Sequence, residues 1–156
     1  MKAVKFKEFL CVIVLVAFVV SLSRGTALSD KTAQEILDAV SSCFDLTELS
    51  KCDKAKFKKE TGFETNAFED VLFYASDDIM QVREIIIVKL KDREQSQALI
   101  TALEKRVSEK ANLFKGYAPE QSAMLDSSVL EERGGFVFFA VCERPELTVS
   151  AFRRGL

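Results

Sequence analysis

Lys2, Lys5 and Lys7 precede an unbroken apolar run from Phe9 to Val20, and this opening decides which part of the chain has to fold. A positive flank followed by a short apolar core is the pattern of a secretory signal. The run is 12 residues long, or 14 if Ser21 is tolerated and it extends to Leu22. A spanning helix needs roughly 20. Gly25 and Ala27 are small and spaced like the pair in an Ala-x-Ala-like site, so cleavage after Ala27 is the expectation. The alternative is an uncleaved N-terminal anchor. In both cases the lysines stay on the cytoplasmic side, which places residues 28–156 outside the cytoplasm, secreted or tethered through the N-terminal segment. Cys11 lies inside the apolar run after Glu8, Phe9 and Leu10, without the small residues of a lipobox, and reads as apolar filler.

The domain to be built is therefore a single one over residues 28–156, long enough to bury a real core. Setting residues 1–27 aside removes Lys2, Lys5, Lys7, Arg24 and Glu8 and moves the formal charge from −2 to −5. Neither value has the basic balance of a nucleic-acid binder. The chain contains no His. That excludes Ser-His and Cys-His nucleophile pairs, imidazole metal sites and histidine pH sensing. Cys43, Cys52 and Cys142 remain. A Cys43–Cys52 bridge would suit an oxidising exterior, but the favoured reading is three small buried hydrophobes. Their spacing fits no zinc site, so neither a metal nor a cofactor is expected.

Residues 32–44 read as an amphipathic helix with Ala33, Ile36, Leu37, Val40 and Phe44 on one face, opened by a Thr32/Glu35 capping box. A second helix is expected from its cap Asp53 to Thr61, stopped by Gly62, with Phe57 and Phe63 as core contacts. Residues 71–76 and 83–90 are β-branched and aromatic and read as strands around Asp77-Asp78. The longest helix is capped by Asp92 with Gln95 and carries the stripe Leu99, Leu103, Val107, Ala111 and Phe114 up to Gly116. After Pro119 and a short turn, residues 128–133 and 136–142 flank Gly134-Gly135, a type I′ hairpin signal. Phe136 to Val141 is apolar on both faces and should be central. Pro145 starts a closing helix. The expectation is an α+β domain, order α-α-ββα-ββα, with a four-stranded antiparallel sheet and the helices packed on one face. Val88, Ala98 and Leu99 align at one offset with Val141, Ala151 and Phe152, which hints at a duplicated strand–strand–helix unit.

These pieces, in this order, resemble the bacterial family catalogued as domain of unknown function 4358. The resemblance rests on Phe57 with Gly62-Phe63, on Tyr74-Ala75-Ser76, and on the strand Glu84 to Asp92. It continues through Phe114, Tyr117, Pro119 and Glu120 to Gly135-Phe136-Val137. It covers about residues 32–154. It implies an exported protein or lipoprotein, chiefly of Gram-positive anaerobes, and a small standalone domain. It brings no assigned activity, cofactor or catalytic residue, so no site is carried over.

Individual side chains give few candidates. Glu84 could act as a general acid or base in a cleft, but a strand-end charge facing solvent is the commoner case. Asp77-Asp78 lacks the ligand spacing of a calcium loop and reads as a turn. Lys51, Lys54, Lys56, Lys58 and Lys59 form a basic face that could meet anionic wall polymer or headgroups, weakened by Glu60, Glu64, Glu69 and Asp70. Tyr117 and Pro119 occupy the Pro-containing loop, where Tyr117 either binds a partner or clamps the long helix. Phe138 and Phe139 point to opposite faces, so one must lie away from the helices or under another layer. The candidate partner-binding residues are thus Tyr117, Pro119, Lys54 and Lys58. The functional expectation is a non-enzymatic binding or accessory module of the cell envelope, whose partner is an envelope protein or wall-associated ligand. No nucleic acid is expected, and membrane association only transiently or through the N-terminus. The rival is a carboxylate-dependent hydrolase of an envelope glycan, which needs two acids across a cleft.

Overall fold

Residues 28–156 are described in a computed structural model; the leader, its cleavage site and Cys11 lie outside the described residues. The first helix, α1 (Ala33–Val40), opens with the expected capping box. Thr32 Oγ1 accepts from the Glu35 amide at 3.2 Å, and Glu35 Oε2 accepts from the Thr32 amide at 2.8 Å. The helix ends four residues earlier than its apolar spacing predicts. Phe44 still bonds the Val40 carbonyl, but in a turn that returns its ring to the core.

The short strand β1 (Leu49–Lys51) leads into α2 (Lys54–Thr61). Asp53 Oδ1 caps α2 through the Lys56 amide at 2.7 Å, and Gly62 closes it at φ +82°, where a side chain would be strained. A 3-10 turn, Thr65–Ala67, delivers the chain to β2 (Asp70–Ser76) and its antiparallel partner β3 (Glu84–Lys89). The long helix α3 (Glu94–Phe114) follows, with Asp92 Oδ1 accepting from the Glu94 amide at 2.9 Å. Next come α4 (Pro119–Asp126), β4 (Val129–Arg133), β5 (Phe136–Val141) and α5 (Pro145–Gly155). Gly134 at φ +61° and Gly135 at φ +84° make the hairpin with the two positive φ angles that a type I′ turn requires.

The α+β class holds, but the architecture differs from the expectation in three ways. The sheet has five strands, in the order β1-β2-β3-β5-β4, all neighbours antiparallel. The added strand, β1, is three residues long and without apolar alternation, and it is a strand only because β2 offers it a ladder. The stretch after Pro119 is a helix rather than a turn; α4 inserts Leu125 as its buried apolar side chain, too little to register as a helical stripe.

The third difference is the largest. Helices cover both faces of the sheet. On one face α2, α3 and α4 pack over Phe73, Ile86, Val88, Val137, Phe139 and Val141. On the other, α1 and α5 pack over Leu72, Ile85, Ile87, Phe136, Phe138 and Ala140. The cause is in the central strands: β3 and β5 are apolar at consecutive positions, so both faces must be shielded from water. Phe138 is fully buried against Phe152 of α5, with ring centroids 4.5 Å apart and planes 9° from parallel. No aromatic is left on an open sheet face there. The duplication fails for the same reason. Val88 and Val141 face one core together, whereas Leu99 and Phe152 lie in opposite cores.

Among the described residues Cys43, Cys52 and Cys142 are free, and of the three only Cys142 is buried, against the expectation of three buried thiols. Cys43 packs with the α1/α5 core and Cys52 with the α2/α3 core, so the sheet separates them and a bridge between them is excluded.

Candidate functional site

Two adjoining features on the α2/α3 face bring chemistry-bearing side chains together. The first is a groove of about 810 Å³ between β2, the end of β1 and the start of α2. Phe57, Phe68 and Phe73 contribute its apolar lining, and Lys51, Lys54 and Lys91 its positive charge. Phe57 and Phe68 meet edge to face, with centroids 6.1 Å apart, which fixes that wall. The acids of the groove are occupied. Asp53 caps α2, Asp70 Oδ2 accepts from the Ala33 amide at 3.3 Å, and Glu69 pairs with Lys89 at 2.9 Å. Lys91 donates to the Asn66 carbonyl at 2.6 Å, whereas Lys51 and Lys54 are exposed and make no ion pair among the described residues.

The second feature is an ion network that joins β3, α2 and α3. Glu84, at the start of β3, is fully buried, which corrects its reading as a solvent-facing strand end. Its carboxylate takes a fork from Arg106 of α3, Nη1 to Oε1 at 2.5 Å and Nη2 to Oε2 at 2.7 Å. Lys110 Nζ stands 3.7 Å from Oε2, and Arg106 Nε also reaches Glu60 Oε2 of α2 at 2.5 Å. Burial alone would lower the Arg106 pKa, but the two carboxylates outweigh it and hold the guanidinium charged. Burial works to raise Glu60, and the Arg106 hydrogen bond and charge overcome it, leaving that carboxyl below the ordinary range. Burial pushes Lys110 below an ordinary lysine, with Glu84 pulling against it.

Cys52 stands between the two features. It lines the groove, and its thiol reaches the Ser50 carbonyl at 3.7 Å. Burial pushes this thiol up, and the nearby Lys56 only partly offsets that. A thiol held protonated is a poor nucleophile.

Of the four residues expected to bind a partner, the structure brings only Lys54 into the groove. Lys58 is turned to Glu64, with Nζ 2.5 Å from Oε1. Tyr117 lies on Phe114 at 5.1 Å between centroids, yet remains 58% exposed, and Pro119 is the first residue of α4. Asp77 and Asp78 serve the β2–β3 turn: Asp78 Oδ1 accepts from the Met80 amide at 2.9 Å, and Asp77 accepts from the Ser50 hydroxyl. Arg106 and Lys110 escaped the sequence reading. They stand beside the Leu103, Val107 and Ala111 stripe, and a basic pair at that spacing looks like a solvated flank until β3 is placed under it.

An α+β domain with two helical layers, a buried ion network and no helix long and apolar enough to cross a membrane among its described residues is the class that fold and site define. The family described as Domain of unknown function (DUF4358) matches residues 42–142, and the chain belongs to that family. The match is shorter than the stretch the motifs suggested: it holds the whole sheet with α2, α3 and α4, and leaves out α1 and α5. No curated protein and no solved structure matches the chain.

Proposed function

We propose that this domain is a non-enzymatic binding module, exported and working at the cell envelope. The observation that carries the binding role is the groove beside β2, with an apolar lining and two exposed lysines that make no ion pair among the described residues. A pocket with an apolar wall and a few placed polar groups is the usual form of a binding site. Export rests on the sequence pattern of residues 1–27.

The rival reading, a carboxylate-dependent hydrolase, has Glu60 and Glu84 as its candidate pair, since both converge on Arg106. That convergence argues for a binding module instead. A glycosidase acid needs a raised pKa and access to the leaving group. Glu60 is shifted the other way, and Glu84 is closed off from solvent.

The test is crosslinking in intact cells that express the full chain, followed by mass spectrometry of what is joined to it. A reproducible envelope protein or wall fragment crosslinked through the groove is the expected result. Failure to join any envelope component would remove the proposal, and hydrolysis of purified wall glycan lost in Glu60→Gln would install the rival.

A further inference from the structure

The groove borders a stretch of β2 that no strand covers. β1 pairs with β2 only at Tyr74, Ala75 and Ser76, then bonds the Phe73 carbonyl through the Cys52 amide at 2.8 Å. At Asp53 the chain leaves the sheet to start α2. The alternation of an antiparallel ladder identifies what is left open. Ser76 donates to the Arg83 carbonyl, so Ser76, Tyr74, Leu72 and Asp70 direct their amides and carbonyls toward β3. The residues between them direct theirs the opposite way. Ala75 and Phe73 meet β1 and Cys52, and Val71 meets nothing among the described residues. Val71 also lines the groove, together with its aromatic residues and its lysines.

Resting on the binding role proposed above, we propose that the open edge of β2 at Val71 accepts an extended segment of a partner protein carrying acidic residues. The added strand continues the line that β1 abandons at Asp53 and takes the free amide and carbonyl of Val71. Its alternate side chains enter the groove toward Phe57, Phe68 and Phe73. Main-chain pairing of this kind supplies affinity, and the pockets for alternate side chains supply specificity. The charge of the segment follows from the groove's own balance. Asp53 and Asp70 are turned to backbone amides, Glu69 to Lys89 and Lys91 to the Asn66 carbonyl, so the charged side chains of the groove left free to pair with an incoming group are Lys51 and Lys54. An acidic side chain or a chain-terminal carboxylate complements it, and a basic segment is repelled.

The experiment uses two synthetic peptides with one β-branched core, one ending in two glutamates with a free carboxylate and the other in two lysines with an amide. Each is titrated into protein recovered from cells expressing the full chain, with anisotropy for affinity and amide exchange for position. The acidic peptide should bind about tenfold tighter than the basic one and slow exchange at the Val71 amide. The double variant Lys51→Glu/Lys54→Glu should reverse that preference while melting like the wild type, because both side chains are exposed. Equal binding of the two peptides, or binding without protection of Val71, would overturn the proposal. So would a concentration-dependent dimer that protects Val71 in the absence of peptide, since a second copy would then own the edge. An envelope component that still crosslinks in the double variant would defeat this surface and leave the binding role standing.

Discussion

Arg106 holds a buried charge in place: Glu84 is fully buried and takes two hydrogen bonds from it. Removing one partner of a buried ion pair strands the other charge, at about 3–5 kcal/mol. Arg106→Met should therefore lower the unfolding free energy by about that much in urea titration. The double change Glu84→Leu/Arg106→Met should recover most of the loss, since an apolar pair of similar volume is often as stable as the ions it replaces. Glu60 adds a pH dependence. Its folded pKa lies below its unfolded one, so its contribution is complete above the ordinary carboxylate range and is lost as the pH falls through the folded value. Stability measured across that acid range should fall, and the part due to Glu60 should vanish in Arg106→Met. None of this was legible beforehand. Glu84 was visible as a charge at a strand start, but which helix residue lies above it is set by the packing of α3 on β3.

Several helix ends and turns follow from local chemistry, and at those the expectation and the structure agree. Thr32 with Glu35, Asp53 with Gly62, and Gly134 with Gly135 each do what their residue types require of nearby backbone. Gly62 gives the sharpest test. A Cβ there would meet nothing within 4 Å, so the cost of Gly62→Ala is the left-handed backbone alone, about 1–2 kcal/mol. Thermal or urea denaturation should show that loss without any change in the core. Elements without such local signals were missed. β1 exists by pairing with an edge that its own sequence does not announce, and α4 is held by Leu125 and by the Ser122 hydroxyl donating to the Ala111 carbonyl at 3.1 Å.

At the scale of the molecule, the two helical layers make a prediction that a single layer would not. Phe138 and Phe139 are neighbours in β5, each fully exposed to a different core and to no solvent. Phe138→Ala and Phe139→Ala should each cost about 3–5 kcal/mol in equilibrium unfolding. With helices on one face only, one of the two would be nearly silent. The chain by itself determined the caps, the turns, the strand cores and the family likeness, because those depend on residues close together in sequence. The apolar doubling in β3 and β5 was visible in the sequence, yet the expectation put the helices on one face, because nothing in a strand says where a distant helix will pack. Only the tertiary structure decided that α1 and α5 share the second face, that Arg106 meets Glu84, and that β2 keeps an open edge beside unpaired lysines. Each of those joins parts of the chain far apart in sequence, and such contacts are chosen by burial and charge summed over the whole fold, not by any segment's own preference.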